Sequence, residues 1–158
     1  MAKDEVTRFL NVDLEIVARV PLDPIVKAFG EKAFVLSGGR RGRFYYAYLE
    51  VDDRYSAGAE KIIQKFVAMI KKLPREARKI WDQATSREFD IGIEEGGKRA
   101  EVGHSMQIYF LQLKEKTLKD VMSVKGTIAF TVYPPEPKSP EKKQAARKTV
   151  VRSSKQAN

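Results

Sequence analysis

Between Leu10 and Ile16 apolar and polar residues alternate without a break: Leu10, Val12, Leu14 and Ile16 against Asn11, Asp13 and Glu15. Successive side chains of a strand point to opposite faces, so a period of two specifies a half-buried strand. A chain that opens this way contains a sheet with one apolar and one polar face. The later segments must supply the elements that cover the apolar one.

They have the pattern to do so. Pro21 and Pro24 punctuate, Leu22, Ile25, Val26 and Phe29 recur at helical spacing, and Gly30 suits the end of a short helix. Ala33 to Ser37 reads as a strand, the glycines and arginines of 38–43 as a turn, and Phe44 to Val51 as the second arm of a hairpin. Ser56 is placed to cap a helix with Ile63, Val67 and Ile70 along one face, joined by Phe66 and Leu73. Pro74 opens a continuing helical piece that carries Ala77, Ile80, Trp81 and Ala84. Phe89 to Ile93 and Met106 to Leu113 read as strands flanking a polar loop, EEGGKRAEVGHS. Thr117 caps or opens a short helix with Leu118, Val121 and Met122, and Thr127 to Tyr133 closes the fold as a strand.

The predicted fold class is α+β. Its order is β-α-β-β-α-β, the ferredoxin-like order, followed by β-α-β, with a mixed or antiparallel sheet and helices packed on it. The two β-α-β stretches echo each other in layout, which a duplication or a shared composition would both produce. Of the 158 residues, 42% are hydrophobic, enough for one domain with a real core over 1–133. Residues 134–158, rich in proline and lysine, read as a disordered basic C-terminal tail.

The chain has no cysteine, which rules out disulfides and thiol catalysis and fits a reducing cytoplasm. No apolar run approaches membrane-spanning length and the N-terminus lacks a signal peptide's apolar stretch, so no membrane insertion is expected. The net charge is +9, of which the tail holds +5 through seven basic and two acidic residues. A surface of this sign favours polyanions such as nucleic acid.

The stretch SGGRRGRFYYAY concentrates that chemistry. Alternation puts Tyr45, Ala47, Leu49 and Val51 on the core face and Phe44, Tyr46, Tyr48 and Glu50 on the other, next to Arg40, Arg41 and Arg43. Aromatic side chains on a sheet stack bases, and arginines hold phosphates. The order resembles that of an RNA recognition motif, and Arg41-Gly42 begins its longer signature, but Arg43 stands where that signature has an aromatic residue. The alternative is structural: Phe and Tyr favour strands, and cross-strand aromatic pairs stabilise sheets. A second basic edge falls on Arg75, Arg78 and Lys79 at helical spacing, where a solvated helix face is the plainer reading. In the tail, Lys142, Lys143, Arg147, Lys148 and Arg152 complete the candidate phosphate contacts.

Nothing comparable points to catalysis. GGRRGR lacks the Gly-Lys-Ser/Thr ending of a phosphate loop, and a strand follows it, not a helix. His104 is the single histidine, and one histidine beside Glu94, Glu95 and Glu101 is poor material for a metal site. Asp52, Asp53, Asp90 and Glu94 offer carboxylate pairs, though acids on a polar strand face are usually solvated. No serine has a nucleophile-elbow context. No cofactor is expected.

The opening strand, LDPIVKAFG, REFDIGIE and KTLKDVMSVKGTIAFTVY together resemble small bacterial α+β domains of unknown function over most of residues 9–133. The resemblance implies a bacterial cytoplasmic protein without known catalytic residues, and an immunity or interaction role for some of its members. The expectation is therefore a non-enzymatic binding protein with a nucleic-acid partner, RNA or DNA. The alternative is a protein-interaction module of immunity or adaptor type, and a third is an enzyme without a recognisable motif. An exposed sheet edge also admits a homodimer.

Overall fold

The first strand becomes the centre of a five-stranded sheet in a computed structural model of the chain, which describes residues 7–52, 58–96 and 109–134. Strand β1 (Arg8–Ala18) pairs antiparallel with β3 (Phe44–Glu50) on one side and with β4 (Ser86–Glu94) on the other. Outside them lie β2 (Phe34–Arg41), antiparallel to β3, and β5 (Thr127–Tyr133), parallel to β4. The order β2-β3-β1-β4-β5 makes the sheet mixed and the fold α+β. Its first four strands have the split βαβ arrangement, with β3 between β1 and β2 and β1 between β3 and β4.

All four helices, α1 (Asp23–Phe29), α2 (Ala59–Lys71), α3 (Arg75–Gln83) and α4 (Glu115–Ser123), serve one face of this sheet. That face presents Val12, Leu14, Ile16, Leu49, Phe89 and Ile91, all buried. The helices answer with Ile25, Ile63, Phe66, Ile70, Trp81 and Val121. Each such side chain stabilises the fold by about 1.5–3 kcal/mol on burial. The rings of Phe66 and Phe89 meet edge to face at 6.3 Å. Polar groups tie the helices together. Trp81 Nε1 donates to the Val124 carbonyl at 2.8 Å, and Glu60 of α2 accepts from the Lys114 backbone at 2.6 Å and the Thr117 hydroxyl at 3.0 Å. Glu60 thus satisfies donors at the start of α4 that a helix cannot satisfy itself. No helix among the described residues is long and apolar enough to cross a membrane.

Several expectations shift in detail. A bulge between Phe9 and Asn11 puts Phe9, not Leu10, against the core, because the extra residue reverses the alternation before it. The turn predicted over 38–43 narrows to Gly42 and Arg43, and Gly38 to Arg41 continue β2. Gly42 has φ +60, as the first central position of a tight hairpin turn requires. Pro74 ends α2's connection and stands before α3, so two helices replace one continuing helix. Thr117 lies inside α4, with Lys114 at its N-cap. The strand predicted at Met106–Leu113 is not found over 109–113, where Leu111 and Leu113 pack on the core as the lead-in to α4. The place beside β4 belongs to β5, which pairs along Glu88–Glu94. Without that strand the echo between the two β-α-β stretches is one of sequence only. Ser56, His104, residues 106–108 and the tail from 135 onward lie outside the described residues.

Candidate nucleic-acid interface

The face opposite the helices carries the aromatic row. In register, Tyr45, Ala47 and Leu49 pair with the core-facing residues Ala18, Ile16 and Leu14 of β1. Phe44, Tyr46 and Tyr48 therefore stand on the open side, half-buried against one another, with Tyr46 and Tyr48 edge to face at 5.8 Å. Among the described residues no helix covers this side.

Four arginines gather where β1 ends and the β2–β3 hairpin turns. Arg41 lies over the Tyr46 ring at 4.6 Å and Arg43 over Phe44 at 5.2 Å. Arg19, just past β1, lies over the same Phe44 at 5.9 Å. Arg40 is on the other side of the hairpin, over Tyr45 at 5.6 Å, with its Nε donating to the Gly42 carbonyl at 2.9 Å. There a hollow of about 280 Å³ is lined by Leu22, Val26, Val35 and Tyr45. All four guanidinium groups are exposed, and among the described residues none forms an ion pair. Ring faces attract cations and hold these side chains in place without neutralising them. Arg40, Arg41 and Arg43 are thus brought together as expected, and Arg19 joins them.

The second basic edge is not part of this site. Arg78 is half-buried on α3, ion-paired with Asp82 at 3.3 Å and donating to the Ile70 carbonyl at 3.3 Å. It holds α3 to the end of α2, while Arg75 and Lys79 remain exposed in the helix layer. Lys142, Lys143, Arg147, Lys148 and Arg152 fall outside the described residues.

Beyond Tyr48 the same face turns acidic. Glu50, Asp13 and Asp90 stand in one row across β3, β1 and β4, and Glu15 and Glu88 flank it in the next. Glu50 and Asp90 are buried, at 3% and 7% exposure, while Asp13, Glu15 and Glu88 are partly exposed. Neighbouring strands are about 4.8 Å apart, and like charges about 5 Å apart repel by about 3 kcal/mol at an effective dielectric of 20. Burial, and then Glu50, Asp90 and Glu15, push the Asp13 carboxyl up to about 7. Burial and the charges of Asp90 and Glu88 also raise Glu15. Asn11 Nδ2 donates to Asp13 at 2.9 Å, and the Thr131 hydroxyl donates to Asp90 Oδ2 at 2.8 Å. Asp90 Oδ1 is buried with no hydrogen-bond partner among the described residues.

Asp13, Glu50, Asp90 and their neighbours form a feature that the sequence does not announce as one: Asp90 reads there as a solvated polar-face acid, Asp13 and Glu15 as the polar side of the first strand, and Glu50 as part of the aromatic face. Its signal was present in the polar-face positions of three strands, but only the pairing register brings them into one row. The open face therefore has two ends, one aromatic and cationic, one acidic. Among the described residues no group of three or more acids or histidines has the geometry of a metal site. No family model, curated protein or solved structure matches the chain, so the site stands on its own geometry.

Proposed function

We propose that this chain is a non-enzymatic polyanion-binding protein that takes RNA or DNA by its phosphates at the tip of the β2–β3 hairpin. The observation that carries the reading is the placement of Arg19, Arg40, Arg41 and Arg43 over Phe44, Tyr45 and Tyr46. A guanidinium backed by a ring keeps N–H groups for an outside acceptor, and phosphate oxygens match that fork. The arginines occupy both sides of the hairpin, which favours backbone contacts over base readout. Phe44 and Tyr46 carry guanidinium groups over their rings and so back the arginines rather than stack bases. A strand laid further along, over Tyr48, would bring phosphates against Glu15 and Glu50. The tail, through Lys142, Lys143, Arg147, Lys148 and Arg152, adds sequence-independent contacts.

The test is a binding series with labelled single-stranded RNA and duplex DNA at several salt concentrations. The expected dissociation constant is on the order of 10⁻⁴–10⁻⁶ M and rises steeply with salt. An Arg19/Arg41/Arg43→Ala variant should weaken binding and flatten the slope of log K against log salt by about 2–3. Equal slopes for the variant and the parent would remove the hairpin from the reading. No binding even at low salt would end it.

One observation favours a second reading, a protein-interaction surface. On the edge strand β5, Phe130 and Val132 are 55% and 60% exposed, and Met122 of α4 is 73% exposed. An apolar edge of this kind is a template for pairing with another chain. Sedimentation of the parent against Phe130→Lys tests it: a dimer in the parent that the lysine abolishes supports the reading, and a monomer in both refutes self-association.

A further inference from the structure

We infer that the acidic end of the open sheet face is a docking site for the chain's own basic tail, residues 135–158. The site has charge to match: Asp13, Glu15, Glu50, Glu88 and Asp90 converge from three strands, and the tail from Pro134 carries a net +5. A second observation points to a cationic occupant independently of the count. Asp90 Oδ1 is buried with no hydrogen-bond partner among the described residues, in a side chain only 7% exposed. A buried carboxylate oxygen in that state is unfavourable, and a cation close over the row relieves it.

The attachment point brings the tail to the site. Tyr133, the last residue of β5, pairs with Glu94 on the neighbouring strand. Its ring lies beside Gly92, where a Cβ would come within 3.4 Å of Tyr133 Cε2 and 2.7 Å of Asn11 Oδ1. Burial first, and then the charges of Asp90, Asp13 and Glu15, raise the Tyr133 phenol. The chain thus leaves the sheet four positions past the row, with the Tyr133 ring turned back towards its acids. Lys138 follows five residues after Tyr133, a reach of about 17 Å when extended. From Tyr133 the Asp13–Asp90 row lies four residues back along the strand, about 13 Å, and β1 lies about 10 Å across from β5. Lys138, Lys142 and Lys143 therefore reach Asp13, Glu15 and Glu88, the three acids that remain partly exposed.

Docking does not depend on the polyanion reading. If both hold, nucleic acid and the acidic face compete for the same lysines. The tail's departure would then leave a repulsive surface beside the hairpin and confine the bound strand to the arginine end.

The test needs only the full chain and no nucleic acid. Because the chain has no cysteine, Gln144→Cys gives a unique attachment point for a nitroxide label. Paramagnetic broadening is then read on the backbone amides. At low salt, the amides of Asp13, Glu15 and Glu88 should lose about half their intensity or more while those along the solvent side of α2 keep theirs. Raising salt to about 0.5 M, where the Debye length falls to roughly 4 Å, should restore them. So should Asp13→Asn/Glu15→Gln/Glu88→Gln in the labelled chain, which removes charge without removing volume. Three results would overturn the proposal: no broadening of these amides at low salt, broadening that the neutralised face leaves unchanged, or broadening that disappears when labelled chain is diluted with unlabelled chain, which marks a second copy as the occupant.

Discussion

Asp13 and Asp90 stand directly opposite each other on the antiparallel neighbours β1 and β4, on the face the helices leave open. Directly opposed like charges destabilise a sheet pair, so the arrangement carries an energetic cost that the apolar face must offset. Glu15 beside Asp13, Glu50 on β3 and Glu88 on β4 add to the repulsion, and β5 places Ala129 opposite Asp90, with no charge to neutralise the row. A polar face built for solubility alone has no reason to align acids across three strands.

Folding stability should therefore fall as pH rises toward neutrality. The Asp13 carboxyl moves from its ordinary 3.8 to about 7 in the folded chain. Below about pH 4 the folded and unfolded chains both hold the proton. Between about 4 and 7 only the folded chain does, so each step up in pH favours unfolding, and above 7 the loss is complete. Asp13→Asn keeps the acceptor for Asn11 and removes the charge. The variant should be more stable than the parent at pH 8 by about 1–2 kcal/mol, after discounting for the solvent that reaches this side chain. The advantage should shrink to nothing near pH 4. Thermal melts of both proteins across that range measure it, and an advantage independent of pH would show that Asp13 is not the titrating group.

The junction of α4 and β5 should be the least tolerant of added volume. A Cβ on Gly126 would lie 2.5 Å from Phe89 Cε2 and 3.1 Å from Val121 Cγ1, and both side chains are buried. Phe89 is held edge to face by Phe66 and cannot swing away freely. Gly126→Ala is expected to cost about 1–3 kcal/mol through overpacking. Trp81→Phe acts on the same junction from α3. It strands the Val124 carbonyl, which accepts from the indole at 2.8 Å, and should cost about 1–3 kcal/mol. Urea melts of the two single variants and the double should show losses that do not add, because both strain the turn at 124–126.

Most of the fold is legible in the sequence because it is local. The alternation of Val12, Leu14 and Ile16, the Leu22–Phe29 spacing with Gly30 behind it, and the TIAFTVY strand each declare themselves within one segment. What escapes is non-local. Residues 109–113 have a strand's composition, but β5 occupies the side of β4 away from β1. Asp13, Glu50 and Asp90 are each readable as polar-face acids, yet their convergence depends on the register between segments far apart in the chain. Arg19 shows the same limit: it follows the end of a strand, and nothing near it in sequence announces Phe44 as its neighbour. Arg78 shows the converse, since its helical spacing advertises a basic edge while Asp82 and the Ile70 carbonyl have already engaged it.

That contrast between Arg41 and Arg78 separates binding from structure. Arg41 is exposed over Tyr46 and makes no ion pair among the described residues, so truncating it removes charge from the surface and little from the fold. Arg78 is half-buried and bonded twice, to Asp82 and to the Ile70 carbonyl. Arg41→Ala should leave the melting temperature within about a degree of the parent, since exposed charges contribute little to stability. It should lower affinity for duplex DNA at low salt and reduce the salt slope by about 1. Arg78→Ala should do the reverse, with a stability loss of about 0.5–1.5 kcal/mol from the lost bonds to Asp82 and to the Ile70 carbonyl, which keeps the Leu73 N–H, and an unchanged salt slope. Paired salt titrations and melts on the two variants read both quantities. If Arg78→Ala flattens the slope as much as Arg41→Ala does, the polyanion extends over the helix layer and the hairpin is only one part of its grip.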